Sequence, residues 1–353
     1  MRWDAQRTAN DDEALPGLEL GAIPGLTRSV RTPEFAGVTF HEVRCRSALN
    51  RVPAASAMPF RWTVNPMRGC VHACVYCFAR PTHEYLELGP GADFERQIVV
   101  KTNVAEVLRA EVRRPGWARE HVALGTNTDP YQRPEGRYRL MPGIIDALAS
   151  SGTPVSILTK GTLLRRDLPL LQDAAQQAPV GVGVSIALVD GELQQLLEPG
   201  TPTPRARLEL VRAVREAGLP CGVMVAPVLP WVTDGAQELD ALLAKLADVG
   251  ASGVTVLPLH LRGPVKPLFL DWLARHRPAL VGRYRRLYGE GAYVPQEYAT
   301  WLREHVRPLL ERHGFASPAG HREGRPDQWH TRWERGLERT VVAEPAVVQA
   351  ALF

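Results

Sequence analysis

Short apolar segments alternate with helical patterns along most of this chain, and this alternation restricts the fold more than any other feature. The strand-like segments are Phe60–Val64, Gln97–Val100, His121–Leu124, Pro154–Leu158, Val180–Ile186, Cys221–Val225 and Gly253–Leu257. Strands that alternate with helices at this spacing run parallel and are joined by right-handed crossovers. The pattern predicts an α/β protein, either an open sheet or a barrel, with its functional site at the carboxyl ends of the strands.

The composition is that of an ordinary globular protein, with 45% hydrophobic and 23% charged residues among 353. No apolar run approaches the roughly 20 residues that span a bilayer, and the first 20 residues contain no apolar core of a signal peptide. We therefore expect a cytoplasmic protein that does not enter a membrane. The net charge of +4 permits an anionic partner without requiring one.

Three of the five cysteines, Cys70, Cys74 and Cys77, lie within eight residues of one another, in a loop that follows the first strand-like segment. In a cytoplasmic protein such clustering favours metal binding over disulfides. Thiolates are ligands that both iron–sulfur clusters and zinc prefer. Three thiolates on a four-iron cluster leave one iron with an open position, which is what chemistry at a metal requires.

Zinc remains an alternative interpretation of the same spacing. His72, His83 or Cys45 could supply the fourth ligand of a structural zinc site. Against zinc, the chain has no second pair of ligands in a C-x-x-C or H-x-x-x-H arrangement. An unliganded group of three thiols is the remaining possibility. Spacing alone favours an iron–sulfur cluster but excludes neither a zinc site nor three unliganded thiols.

The arrangement C-x3-C-x-aromatic-C, with Tyr76 as the aromatic residue, resembles the signature of the radical S-adenosylmethionine (SAM) superfamily. The resemblance implies a partial (β/α)6 TIM-type barrel and a [4Fe–4S] cluster on the three cysteines. It also implies that SAM binds the fourth iron and is cleaved to a 5′-deoxyadenosyl radical, which abstracts a hydrogen atom from a substrate. By the same resemblance, Tyr76 packs near the adenine.

Segments around the motif, including NPMRGCVHACVYCFARPTHEYL, IVVKTN, LGTNTDPYQRPE and ILTKGTLLRRDLPLL, resemble the spore photoproduct lyase-like branch of that superfamily. The resemblance implies a barrel domain at 51–270, preceded by an N-terminal extension at 1–50 that is partly disordered. A helical region with a basic tail occupies 271–353. An external electron donor of the flavodoxin or ferredoxin type is expected. The substrate is unidentified, and nucleic acid is one candidate class.

Polar residues at the ends of later strand-like segments are candidates for binding the cofactor. Thr126, Asn127 and Asp129 stand where other superfamily members receive the amine of SAM, although the same residues suit an Asx-type turn. Lys160 could pair with the cofactor carboxylate or a substrate phosphate, or simply be solvated. The counterpart of Ser185 in the resembling branch contacts the ribose or carboxylate of the cofactor.

One departure from spore photoproduct lyase argues against photoproduct repair. That enzyme returns a hydrogen atom from a cysteine beside its barrel, and neither Cys45 nor Cys221 matches the position of that donor. The aromatic and basic tail at 322–335 suits either a docked amphipathic helix, which we favour, or single-stranded nucleic acid. The competing functions are a zinc-binding nucleic-acid module and a non-catalytic iron–sulfur redox sensor.

Overall fold

The computed structural model describes residues 23–53 and 58–315 of the chain. Its strands are β1 (Leu26–Val30), β2 (Thr39–Val43), β3 (Leu49–Arg51), β4 (Trp62–Val64), β5 (Met67–Arg68), β6 (Gln97–Lys101), β7 (Val122–Leu124), β8 (Val155–Thr159), β9 (Val180–Ser185), β10 (Cys221–Val228) and β11 (Gly253–Pro258). Its α-helices are α1 (Ala92–Arg96), α2 (Val104–Val112), α3 (Glu135–Tyr138), α4 (Leu140–Ser150), α5 (Leu168–Ala175), α6 (Gly191–Leu197), α7 (Pro204–Glu216), α8 (Ala236–Asp248), α9 (Val265–His276), α10 (Pro278–Tyr288) and α11 (Gln296–Arg312).

Six parallel strands form the barrel sheet, in the order β11-β10-β9-β8-β7-β4, and β3 adds an antiparallel strand beside β4. One continuous register crosses the sheet from β4 to β10 through Val64, Leu124, Ile157, Val182 and Cys221. The aligned residues are buried, as expected for parallel strands covered on both faces. The predicted partial (β/α)6 barrel is confirmed.

The run Gln97–Val100 does not belong to the barrel, although its pattern matches that of the barrel strands. As β6 it pairs in parallel with β2 and antiparallel with β5, in a separate four-stranded sheet of order β1-β2-β6-β5. This corrects the expectation of one uninterrupted βα series. Hydrophobic periodicity identifies a strand but not the strand with which it pairs. The extension before the barrel is therefore ordered from β1 onward, whereas residues 1–22 lie outside the described part of the chain.

Helices pack against the barrel strands and against one another. Helices α2, α4 and α5 pack side by side, and α11 packs on α8. The C-terminal helices α9 and α10 pack against each other after the last strand, which agrees with the predicted helical C-terminal region. Among the described residues, no helix is long and apolar enough to cross a bilayer. The tail at 322–335 lies outside those residues.

Candidate functional site

The three clustered cysteines occupy one tight loop directly after β5. Backbone hydrogen bonds hold this loop, from the Cys70 nitrogen to the Phe94 oxygen (2.9 Å) and from the Cys77 nitrogen to the Cys74 oxygen (3.2 Å). Gly69 enters the loop at φ +79°, and a Cβ atom there would lie 2.8 Å from the Phe94 oxygen. Only glycine combines that backbone conformation with so close an approach. The loop is therefore preformed by its backbone.

Arg80 anchors the cysteine loop from within the protein, a role that was not predicted. Its guanidinium donates to the Cys74 carbonyl oxygen from Nε (3.1 Å) and Nη2 (2.9 Å). Nη1 donates to the carbonyl oxygens of Pro90 and Gly91, and Nη2 also pairs with Glu95. Arg80 is only 3% exposed. A buried guanidinium that binds several backbone carbonyls fixes the loop against the segment that follows it.

The thiols of this loop are free, and those of Cys70 and Cys74 are buried. Burial raises the pKa of Cys74 well above that of an ordinary thiol, while the nearby Lys160 ammonium acts in the opposite direction. Negative charge on Cys70 raises the pKa of both Cys74 and Cys77, so the three thiols lie close together. Two buried thiols and one partly buried thiol beside an ammonium group suit an anionic iron–sulfur cluster with three cysteine ligands.

A single metal ion fits this part of the chain poorly. Within residues 23–53 and 58–315, no three His, Cys, Asp or Glu side chains converge closely enough to hold one ion. Zinc requires sulfur ligands that all lie about 2.3 Å from a common point, whereas each cysteine on a cubane cluster binds a different iron. His83, one candidate fourth ligand, instead lies 2.9 Å from the Gln97 carbonyl through its Nε2 atom.

The turn after β7 binds the backbone of the cysteine loop. Thr128 donates from its hydroxyl to the Gly69 oxygen (2.6 Å), and Gln132 both donates to that oxygen (3.2 Å) and accepts from the Val71 nitrogen (2.9 Å). Thr126 and the Asn127 nitrogen donate to Asn65 Oδ1 at 3.3 and 3.2 Å. The side-chain amide of Asn127 has no hydrogen-bond partner in the described residues. Asn127 is therefore available to a ligand.

Asp129 is committed to its neighbours within the protein. Oδ1 accepts from the Tyr131 nitrogen and the Thr159 hydroxyl, and Oδ2 accepts from the Lys160 nitrogen at 2.6 Å. The Nδ1 atom of His72 lies 3.3 Å from Oδ2. Burial would raise the pKa of Asp129, but His72 and these hydrogen bonds lower it to about 2. Its oxygens have little capacity left for a ligand, so Asp129 links the cysteine loop to the end of β8.

Lys160 and Ser185 are in contact at the carboxyl ends of β8 and β9, which are the strand ends that the sequence predicts for them. The Lys160 ammonium donates to the Ser185 hydroxyl at 3.1 Å and lies 5.9 Å from the centre of the Tyr76 ring. Its Nζ atom is 4.0 Å from Glu198 Oε1. Burial opposes the charge of Lys160, but Glu198 raises its pKa above the ordinary value. The side chain is therefore a fixed positive charge beside the cysteine loop.

Glu198 and Arg207 form a buried ion pair behind Tyr76. The Tyr76 hydroxyl donates to Glu198, and Arg207 donates both to Glu198 Oε2 (2.6 Å) and to the Ser185 carbonyl (2.9 Å). Burial would raise the pKa of Glu198, but the charges of Arg207 and Lys160 lower it. This pair was not predicted, although α7 carried a signal for it. Arg207 lies on the buried face of that helix with Leu210, Val211 and Val214.

Aromatic rings extend from the cysteine loop to the end of the last barrel strand. The His260 ring lies between those of Phe78 and Tyr293, with both centroid separations 5.9 Å. Burial lowers the pKa of His260 to about 4, so its ring is neutral at pH 7. The remaining cysteines lie elsewhere. Cys45 is bound through its backbone to the Asn103 side chain, and Cys221 begins β10 at the opposite end of the barrel.

Comparison with known proteins identifies the family. The model of the radical SAM superfamily matches residues 64–244, about half of the chain. An uncharacterized protein of Mycobacterium tuberculosis is 62% identical over 332 residues, covering 93% of this chain and 96% of that protein. An uncharacterized protein of Acidianus two-tailed virus is 30% identical over 210 residues, covering 57% of this chain and 68% of that protein.

The fold is also that of solved spore photoproduct lyase structures. The complex with dinucleoside spore photoproduct superposes with a TM-score of 0.58 at 19% identity, covering 77% of this chain and 79% of that one. A variant with bound AdoMet and dinucleoside spore photoproduct gives a TM-score of 0.56 at 18% identity, covering 77% and 78%. With the family match over the cysteine loop and the barrel, these findings show that the chain belongs to the radical SAM superfamily and is an enzyme of that type.

Proposed function

We propose that Cys70, Cys74 and Cys77 bind a [4Fe–4S] cluster, and that this protein reductively cleaves SAM to abstract hydrogen from a substrate that is still unidentified. When bound, the cluster supplies the electron for that cleavage. The observation that carries the proposal is the juxtaposition of a preformed three-thiol loop with the Lys160 ammonium, whose side chain is 16% exposed. Lys160 follows barrel strand β8, and the cysteine loop, which follows β5, is bound to the turn after barrel strand β7 through Thr128 and Gln132. Ligands of such barrels bind at these carboxyl ends of the strands.

The side chains at the strand ends divide into those that bind the cofactor and those that position other groups. Lys160 and Ser185, which touch each other, bind the cofactor carboxylate by a charge-assisted hydrogen bond and a hydroxyl donor. Asn127 accepts from the cofactor amine, because its amide oxygen is uncommitted, and Thr126 orients the same turn through Asn65. Tyr76 packs near the adenine, with its hydroxyl held by Glu198.

Asp129 has a different role from the one that its sequence position suggested. Because its oxygens already accept from Thr159, from the Lys160 backbone and from Tyr131, we assign it to positioning rather than to binding the amine. It holds the Lys160 backbone in place and pairs with His72 of the cysteine loop. Loss of Asp129 should therefore disturb the cluster and the cofactor together.

The substrate would enter at the mouth of the barrel, beside the rings of Phe78, His260 and Tyr293. Some of the spore photoproduct lyase structures that share this fold contain dinucleoside spore photoproduct. This supports nucleic acid as one substrate class to test first. A flavodoxin- or ferredoxin-type protein is the expected source of electrons.

Reconstitution with iron and sulfide under anaerobic conditions tests the metal centre directly. The wild-type protein should bind about four irons and turn brown. Cys70→Ala, Cys74→Ala and Cys77→Ala should each lose most of that iron. Cys45→Ala is the matched control, since Cys45 is also buried but is bound to Asn103 away from the loop. Stoichiometric zinc in place of iron, or full iron content in the three loop variants, would refute the proposal.

A further inference from the structure

The outer face of α9 and α10 is strongly basic. Between Val265 and Tyr288 the chain has six lysine and arginine residues and one acidic residue, Asp271. The exposed members of the set are Arg275, Arg277, Arg283, Arg285 and Arg286. We call these five arginines the arginine face. A concentration of one charge on one surface attracts partners of opposite charge and increases their rate of association.

No carboxylate of the described residues forms a salt bridge with the arginine face. The contacts recorded for Arg275 and Arg277 are to carbonyl oxygens of their own helix region, those of Asp271 and His276. Elsewhere in the described residues, surface arginines do pair with carboxylates, as in Arg109 with Asp146 and Arg212 with Asp248. The charge of the arginine face is therefore not neutralised within the described chain.

An exposed tryptophan borders the arginine face. Trp231 is 37% exposed and adopts φ +59°, a conformation that is unusual for a bulky side chain and costs free energy. The Arg283 guanidinium lies 4.5 Å from the centre of its ring. Hydrogen bonds from the Val232 and Thr233 nitrogens to the Leu229 oxygen hold the turn in place. Tryptophan and arginine are among the residues most enriched at the binding hot spots of protein interfaces.

The inner face of the same two helices belongs to an apolar cluster that also includes residues of the cysteine loop. Phe269, Trp272 and Tyr284 belong to the apolar cluster that contains Cys74 and Tyr76. Trp272 donates to the Leu196 oxygen (3.0 Å), and Tyr284 donates to the Pro230 oxygen (2.8 Å). The arginine face and this apolar cluster therefore lie on opposite sides of α9 and α10, each of which is about 10 Å thick.

We propose that the arginine face and Trp231 dock a small acidic one-electron carrier protein, which reduces the centre at the cysteine loop. The proposal rests on the proposed function. In the transfer the carrier is oxidised by one electron and the cluster is reduced by one electron, and no bond between the proteins forms or breaks. Complementary charge guides such brief redox encounters, whose interfaces are small.

The position of the face favours an electron carrier over a nucleic-acid substrate. A carrier needs only to come close to the metal centre, and the helices that present the arginine face share an apolar cluster with Cys74 and Tyr76 of the cysteine loop. A substrate must instead place a C–H bond inside the barrel, on the other side of α9 and α10. The arginines project outward from these helices, because the opposite sides of both helices are buried.

The test compares two charge-reversed proteins that carry the same change in net charge. The first combines Arg277→Glu, Arg285→Glu and Arg286→Glu, which leaves the contact between Arg283 and Trp231 intact. The control combines Arg113→Glu, Arg114→Glu and Arg119→Glu, which are exposed residues before the amino end of β7, at the opposite end of the barrel. Cluster reduction is followed by visible bleaching after mixing with flavodoxin hydroquinone or with dithionite.

At low ionic strength, the first variant should be reduced by flavodoxin at least tenfold more slowly than the wild type, and the control at the wild-type rate. Reduction by dithionite should be equal in all three proteins. Calorimetric titration with flavodoxin should show weaker binding to the first variant and, several-fold, to Trp231→Ala. This binding measurement does not depend on the cluster. If dithionite bleaches no cluster in the wild type, the proposed function fails, whereas the docking proposal is still decided by the titration.

Unchanged flavodoxin binding and unchanged reduction in the first variant would overturn the proposal. Loss of single-stranded oligonucleotide binding in that variant, with reduction by flavodoxin intact, would assign the face to nucleic acid instead. An altered sedimentation coefficient with intact reduction would assign it to a second copy of the chain. Equal slowing in the first variant and the control would show a general effect of net charge, and would also overturn the specific assignment.

Discussion

The carboxylate of Glu198 and the guanidinium of Arg207 meet inside the protein, with 2.6 Å between Oε2 and Nη2 and both side chains almost fully buried. The pair contacts three groups of the candidate site. Glu198 accepts from the Tyr76 hydroxyl and lies 4.0 Å from Lys160. Arg207 also donates to the Ser185 carbonyl. Charges that are buried together are costly to separate, because each depends on the other for its solvation. The ion pair therefore orders the side chains that we assign to cofactor binding.

Removing one partner of this ion pair should destabilise the protein strongly. Arg207→Met leaves the Glu198 carboxylate buried beside Lys160 alone, and we expect a loss of about 3–5 kcal/mol in the free energy of unfolding. Adding Glu198→Gln to that variant should recover part of the loss, because the carboxylate that Arg207 compensated is then removed as well. Urea unfolding of both single variants and the double variant measures the coupling. Additive losses would show that the two side chains do not act as a pair.

Lys160→Ala should weaken SAM binding without removing the cluster. A charge-assisted hydrogen bond to a carboxylate contributes about 1.5–3 kcal/mol, which corresponds to a Kd that rises roughly 10- to 100-fold. Iron content should stay at the wild-type level, because Lys160 is not a metal ligand. Lys245→Ala, at an exposed site on α8, is the control. Equal SAM affinity in Lys160→Ala and the control would contradict the assignment.

Asp129→Asn and Asn127→Ala should have distinguishable effects. Asp129→Asn replaces one acceptor oxygen with a donor amide, so it should lower both iron content and SAM affinity. Asn127→Ala removes a side chain that is uncommitted within the described residues, so it should lower SAM affinity alone. Iron analysis and calorimetry on the same samples measure both quantities. Full iron content in Asp129→Asn would show that Asp129 does not support the cysteine loop.

Lys101 predicts a pH dependence of stability that is separate from the site. It is 3% exposed on β6, and burial together with nearby Arg68 lowers its pKa from 10.5 to about 8. Between these pH values the unfolded chain binds a proton that the native protein has lost, so the contribution of Lys101 to stability rises from about pH 8 to pH 10.5. Below pH 8 the buried charge costs up to about 3 kcal/mol.

Lys101→Met should remove that cost and that pH dependence. At pH 7 the variant should be more stable than the wild type, and the difference should shrink as the pH rises through the window. Urea unfolding of both proteins at pH 7, 8, 9 and 10 measures the difference in their free energies of unfolding. Other titrating groups contribute equally to both proteins, so their contributions cancel in this difference. A difference that stays constant across this range would contradict the lowered pKa.

The barrel could be predicted from the sequence because its strands are short, apolar and separated by helices. The positions of the three cysteines and of Lys160 and Ser185 followed from the rule that parallel strands end on one side of the sheet. The assignment of β6 was wrong because the period of a strand carries no information about its partner. β2 was missed because its sequence, TFHEV, includes three polar residues that the structure buries.

Side chains that bind backbone atoms were the hardest to predict. Arg80 follows the cysteine motif directly, yet only the folded loop shows that its guanidinium binds the Cys74 carbonyl. Asp129 stood at the correct strand end, but its role depends on three partners that are distant in sequence, Thr159, Lys160 and His72. Arg207 is the exception, since a charged residue on the apolar face of a helix such as α7 indicates a buried partner from the sequence pattern alone.

The central claim is that this protein cleaves SAM at the cluster held by Cys70, Cys74 and Cys77. The direct measurement is the amount of 5′-deoxyadenosine formed when reconstituted protein is incubated anaerobically with SAM and dithionite. The wild type should form it, and Cys74→Ala should form none above the level without protein. If the iron-loaded wild type forms no 5′-deoxyadenosine, or if Cys74→Ala forms as much as the wild type, the claim is contradicted.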